Sequence, residues 1–157
     1  MSPLGFSVML FLLHGILYIA IGFLTPIFWN RTTEQSGLII SYRTDKRFFG
    51  DEPQKIFQEN TSVYKMAQVT LAMLAGMLFI AGIYIVSVTW FGLKAGLPWA
   101  YYTLAVAGIA GLPFWWLVFR PYFNAGITIT LADAPPFIWV PSLLYLPAVI
   151  LGWIGLR

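Results

Sequence analysis

The sequence predicts an all-α integral membrane protein: four transmembrane helices in a bundle, with a long polar loop between helices 1 and 2. Three observations predict it. The chain is 59% hydrophobic and 10% charged, with a mean hydropathy of +0.78, whereas soluble domains carry about 25% charged residues. Four stretches are apolar over about 20 residues, the length a helix needs to cross the hydrocarbon core. The charges are gathered in one place: residues 30–65 hold six of the nine Lys and Arg and five of the six Asp and Glu. At 157 residues the chain suits one domain, 1–157, with spans at about 4–29, 64–91, 98–119 and 137–156 and a polar loop at 30–63.

The first span, 4–29, is longer than the 7–15 residues of a signal-peptide core, lacks a basic leader and is followed by no small-residue cleavage site, so a retained helix is expected. It carries the single histidine, His14. Ser7, His14, Tyr18 and Thr25 are spaced 7, 4 and 7 apart, which lines them along one helix face that should turn away from lipid. Gly15 and Gly22 lie seven apart on another face and should admit a close helix neighbour. For His14 two readings compete. One is a neutral imidazole, with Tyr18 beside it, ligating a haem or chlorophyll-type metal or bonding a quinone carbonyl. The other, favoured here, is a hydrogen bond to a neighbouring helix, because a lone histidine completes a bis-His site only with a partner chain or a copy of itself. The sequence requires no cofactor.

The loop 30–63 interleaves Asp45, Asp51, Glu52 and Glu59 with Arg43, Lys46, Arg47 and Lys55, the pattern of a solvated ion-pair surface. Phe48, Phe49, Ile56 and Phe57 among those charges suggest that something covers them. A short helix within 43–60 fits the pattern. Residues 37–42 and 127–131 have strand-like composition and admit a short strand pairing between loops one and three; two separate irregular loops fit equally well.

The second span, 64–91, opens on Tyr64 and Lys65. Lys65 suits an anionic lipid head group or simple anchoring at the interface. Ala72 and Gly76 form a small-xxx-small pair, as do Ala107 and Gly111 in the third span, 98–119. The short connection 92–97 makes these two spans antiparallel neighbours. Pro113 should bend the third span and Pro147 the fourth, 137–156. Arg120 can snorkel to the head groups from the end of the third span. Asp133 reads as a turn or cap residue before the fourth. Tryptophan and tyrosine collect where spans meet water: Trp29, Tyr64, Trp115, Trp116, Tyr122 and Trp139 near one face, and Trp90, Trp99, Tyr101, Tyr102 and Trp153 near the other.

Several functions are disfavoured. There is no cysteine, hence no disulfide, thiolate metal site or cysteine nucleophile. No Asp, Glu, Lys or Arg lies inside a span away from its ends; intramembrane charges mark proton relays and ion paths, so a proton-coupled transporter or ion pump is a poor fit. No basic soluble face suggests nucleic acid. No catalytic constellation is visible, and an enzyme acting on lipid would need a partner acid or nucleophile for His14. The expectation is therefore a non-catalytic structural or accessory subunit of a larger membrane complex. It would pack through small-residue helix faces and present loop 30–63 to partners, which are membrane lipids and other transmembrane subunits or copies of itself. The alternative is a small membrane binder of a lipid, quinone or pigment between its helices, near His14. Four spans put loops one and three on the same side, and the positive-inside rule makes that side cytoplasmic, with the five acids of loop one weighing against it.

Overall fold

The computed structural model describes the backbone of residues 2–33, 40–130, 133 and 136–157, and the side chains of these residues apart from 28–33 and 136–138. In chain order the helices are α1 (Pro3–Thr33), α2 (Tyr42–Phe49), α3 (Pro53–Glu59), α4 (Thr61–Val88), α5 (Pro98–Ala110), α6 (Leu112–Asn124) and α7 (Pro136–Gly155). No strand occurs among the described residues. Three helical stretches are long and apolar enough to cross a membrane: Pro3–Ile27, Thr61–Leu93 and Pro98–Asn124. The last helix, α7, is also apolar and runs for 20 residues.

The axis of the molecule is α1, which packs along both α4 and α7. Gly15 and Gly22 face α4. A Cβ on Gly22 would stand 2.5 Å from the Ala75 carbonyl oxygen, and one on Gly82 would stand 2.6 Å from the Gly15 carbonyl oxygen. Only hydrogen at these positions allows the backbones to come so close, and in lipid that proximity is what holds helices together. The contact positions, 15 with 82 and 22 with 75, are seven apart on each helix and run in opposite directions, so α1 and α4 are antiparallel. Phe11, fully buried, sits at the centre of the core with Val88, Leu93, Ala100, Tyr101, Leu104 and Ala148. Tyr101 thus belongs to the core and not to an interfacial belt.

Helix α4 ends in a π-helical turn, Thr89–Leu93. The Lys94 N–H reaches back five residues to the Thr89 carbonyl, at 2.9 Å. Gly92 lies against Ala100, and Gly96, at φ +73°, reverses the chain into α5. Pro98 opens that helix, where a missing N–H costs nothing. At this end of the bundle the Lys94 ammonium lies 3.5 Å from the centroid of the Trp90 ring, and the Arg157 guanidinium 4.4 Å from that of Trp153. Both cations snorkel along exposed tryptophans.

The third apolar stretch is interrupted for one residue, Gly111, which keeps right-handed helical dihedrals at φ −73° and ψ −22°. Pro113 has no N–H to offer and its ring clashes with the carbonyl four residues back, so α5 stops at Ala110. The chain restarts as α6, with Phe114 and Trp115 both donating to the Gly111 carbonyl at 3.2 Å. Up to Gly108, α5 stays on the bundle, since a Cβ there would run into the Tyr145 ring. Beyond the break α6 leaves the described bundle, meeting α2 only near its end through Tyr122, and residues 112–117 are exposed.

Loop one is helical where it is described. Ser41 caps α2 by accepting from the Thr44 N–H at 3.3 Å, and Gly50, at φ +79°, closes it. Asn60 caps α4 by accepting from Ser62 and Val63. The strand pairing that the composition admitted, as one of two alternatives, is not formed among the described residues; 37–39 and 131 lie outside them. The backbone donor of Ile40, which a strand would use, goes to the Asp45 carboxylate. Loops one and three nonetheless meet through side chains, because Ile40, Tyr122 and Ile127 are buried together with Phe48, Phe119 and Ile129 around them.

Candidate functional site

Of the polar residues predicted to share one face of α1, Ser7, His14 and Thr25 have separate partners. The Ser7 hydroxyl donates to the Ala148 carbonyl at 2.7 Å. His14 Nδ1 lies 2.9 Å from the Pro141 carbonyl oxygen. Ser7 and His14 are seven apart on α1, Ala148 and Pro141 seven apart on α7 in the opposite sense, so this polar register fixes α7 antiparallel to α1. Each carbonyl has a second lone pair available for such a bond. Thr25 instead donates to the Ile21 carbonyl of its own helix, at 2.6 Å.

His14 is 6% exposed. A carbonyl only accepts, so Nδ1 carries the proton and the neutral ring leaves Nε2 as a bare acceptor. No described residue donates to Nε2. The Tyr18 ring stands beside it, with centroids 4.7 Å apart at 45°, and Tyr145 lies at 6.0 Å. Tyr145 spends its hydroxyl on the Ala105 carbonyl, tying α7 to α5. The hydroxyl of Tyr18, which is half-buried, has no hydrogen-bond partner among the described residues. The structure thus leaves one unused acceptor and one unused donor on neighbouring rings of α1, beside Tyr145 of α7. Such a pair can bind a polar group of a ligand, and Nε2 alone can serve as a single metal ligand. A quinone carbonyl fits His14 poorly, because the donor it would need is already given to Pro141. Among the described residues no group of three or more His, Cys, Asp or Glu comes together.

A second polar centre, which the sequence did not reveal, lies where α2 meets α6. Asp45 is fully buried. Its carboxylate accepts from the Tyr122 hydroxyl at 2.7 Å and from the Ile40 N–H at 3.2 Å. Asp45 therefore lies inside, beneath the solvated surface expected of loop one. That surface is formed by Lys46 with Glu52, at 2.7 Å, and by Lys55 with Asp51 and Glu59, at 3.2 and 3.9 Å. The hydrogen bond from Lys46 holds the Glu52 carboxyl below the usual glutamate range. Asp133 accepts from the hydroxyl and the N–H of Thr130, which lowers its carboxyl likewise and makes it a turn residue. The one local feature of Asp45 is that it precedes Phe48 by three residues, on the same side of α2. Its partner Tyr122 lies 77 residues away, beyond any local pattern.

The remaining predicted residues fall as follows. Gly15 and Gly22 lie on the contact with α4. Ala72 and Gly76 are exposed on α4, and a Cβ on Gly76 would meet nothing within 4 Å. Ala72 borders a shallow groove with Pro26, Leu71 and Gln68. Ala107 is exposed and Gly111 is at the α5–α6 break. Lys65 and Arg120 are exposed at the loop-one end. Close approaches that were not read from the sequence occur at Gly82, Gly92, Gly108, Gly152 and Gly155. No protein-family model matches the chain, and neither does any curated protein or solved structure.

Proposed function

We propose that the chain is a four-span, non-catalytic accessory subunit of a larger membrane assembly. The three long apolar stretches would cross the bilayer, and α7, about 30 Å long at 1.5 Å per residue, would be the fourth span. The observation that carries this reading is the outward surface left over once α1 has found its partners. Helix α6 exposes its aromatic face, Phe114, Trp115 and Trp116, and α4 turns the Ala72–Gly76 pair away from the rest of the chain. The α2–α3 part of loop one, tied to Tyr122 through Asp45, would be the cap offered to a partner domain. By the positive-inside rule that cap is cytoplasmic, with Lys65 and Arg120 at the level of the lipid head groups. The partners would be other transmembrane subunits or copies of the chain itself.

The test is native mass measurement after mild extraction and in lipid nanodiscs. Partner subunits or a homo-oligomer are expected, and Gly76→Leu or Gly111→Leu should reduce assembly several-fold while Leu78→Ala does not. A protein that is monomeric in both media overturns the reading. A second reading, a small membrane binder of a lipid, quinone or pigment, is favoured by the unused acceptor and donor at His14 and Tyr18.

A further inference from the structure

We propose that His14 Nε2 and the Tyr18 hydroxyl form the polar end of a seat for a membrane-soluble molecule carrying a ring hydroxyl. This rests on the second reading above and narrows it to one ligand chemistry. The first ground is hydrogen bonding. His14 is 6% exposed and its one proton is committed to the Pro141 carbonyl at 2.9 Å, so the open nitrogen takes a donor. A carbonyl or an ether cannot satisfy it. A hydroxyl can, and its oxygen remains free to accept from Tyr18, whose own hydroxyl has no partner among the described residues. Buried polar groups in hydrocarbon are normally satisfied, since an unmet one costs free energy.

The second ground is shape. Tyr18 and Tyr145 stand 4.7 and 6.0 Å from the imidazole centroid, an aromatic wall suited to a flat ring. The third is access. At the level of Phe11 four helices close the core. Past Gly108 the fourth, α5, gives way to α6, whose residues 112–117 are exposed and do not pack on the other described spans. Among the described residues, the corner of the bundle that α5 fills at one end is therefore less filled at the other, and Tyr18, one turn further along α1 than His14, is only half-buried. An apolar tail on the ring would extend there among lipid chains.

The test exploits the single histidine: nitrogen-15 histidine labelling of the full chain in nanodiscs reports on His14 alone. Without ligand the spectrum should show the Nδ1–H tautomer with a bare Nε2. Titration with an alkyl-tailed benzohydroquinone should move the Nε2 resonance and leave Nδ1 in place. The hydroquinone should bind about tenfold tighter than its dimethyl ether, the equivalent of one good hydrogen bond, and Tyr18→Phe should weaken it several-fold. The inference is overturned by an Nε2–H tautomer, by a resonance that does not respond, by equal binding of hydroquinone and ether, or by a visible absorption band showing a metal pigment on Nε2. Mass analysis of molecules co-extracted with the native protein separates the two levels. A bound molecule without a hydroxyl sinks this inference alone, whereas a bundle that carries none and does not bind the hydroquinone sinks the binder reading with it.

Discussion

At the scale of single residues, the structure ranks glycines by what stands opposite them. Gly82 and Gly76 are six apart on the same helix, yet a side chain at Gly82 would enter the backbone of α1 at 2.6 Å, while one at Gly76 would meet nothing within 4 Å. Gly82→Ala should therefore destabilise the isolated chain by roughly 1–3 kcal/mol, as overpacking does, and Gly76→Ala should be near neutral. Reversible unfolding in mixed micelles, followed by circular dichroism, measures both; equal effects would mean that α1 and α4 do not cross as described. The sequence showed that such contacts should exist, because small residues at a spacing of seven stood out on α1. It did not show which face of α4 answers them. Ala75 and Gly82 are also seven apart, but the four-residue pair Ala72–Gly76 is the commoner motif, and the rotation of a helix that is apolar all round cannot be read from its own pattern. The same limit hid Asp45. Its burial depends on Tyr122, 77 residues away, and no local period encodes that meeting.

At the scale of elements, caps and breakers explain where helices begin and end. Ser41, Asn60, Gly96, Pro98 and Pro113 sit where their chemistry puts them, and each starts or stops a helix. Of these the sequence reading marks only Pro98, as the start of a span, and Pro113, as a bend. At Pro113 the helix is interrupted for one residue, because Gly111 just before it, with low helix propensity, gives the chain a second reason to break. The hairpin α2–α3 depends on charge. The carboxyl of Glu52 lies below its ordinary range because Lys46 donates to it, with Tyr42 adding a second hydrogen bond. A depressed carboxyl contributes stability above its unfolded pKa and loses it as pH falls through the folded one. The Lys46–Glu52 tie should thus be complete at neutral pH and lost below the usual glutamate range, about 4.3. Amide exchange at Gly50 and Asn60, which close α2 and α3, should speed up on acidification in the parent protein. In Glu52→Gln it should already be faster at neutral pH and change less across that range. Exchange that is equal in both proteins would show that the ion pair does not brace the hairpin.

At the scale of the whole molecule, the account describes a bundle built on α1, with α4 and α7 antiparallel to it and the α5–α6 pair on one side. It is capped at one end by loop one, which reaches α6 through Asp45 and Tyr122. The composition predicted the membrane class and the helices; the interruption of the third stretch and the cap on α6 needed the three-dimensional arrangement. The central claim is that the chain crosses the bilayer four times, so that α2 and the segment after α6 share one side and the turn between α4 and α5 lies on the other. The chain has no cysteine, so single cysteines can be introduced without background. Arg43→Cys, Thr128→Cys and Ala95→Cys all fall at exposed positions. Labelling with a membrane-impermeant maleimide, in intact cells and in inverted vesicles, measures their sidedness most directly. The account predicts that the first two react only from the cytoplasmic side and Ala95→Cys only from the opposite one. Reaction of Arg43→Cys and Thr128→Cys from different sides, or of all three from the same side, would contradict it.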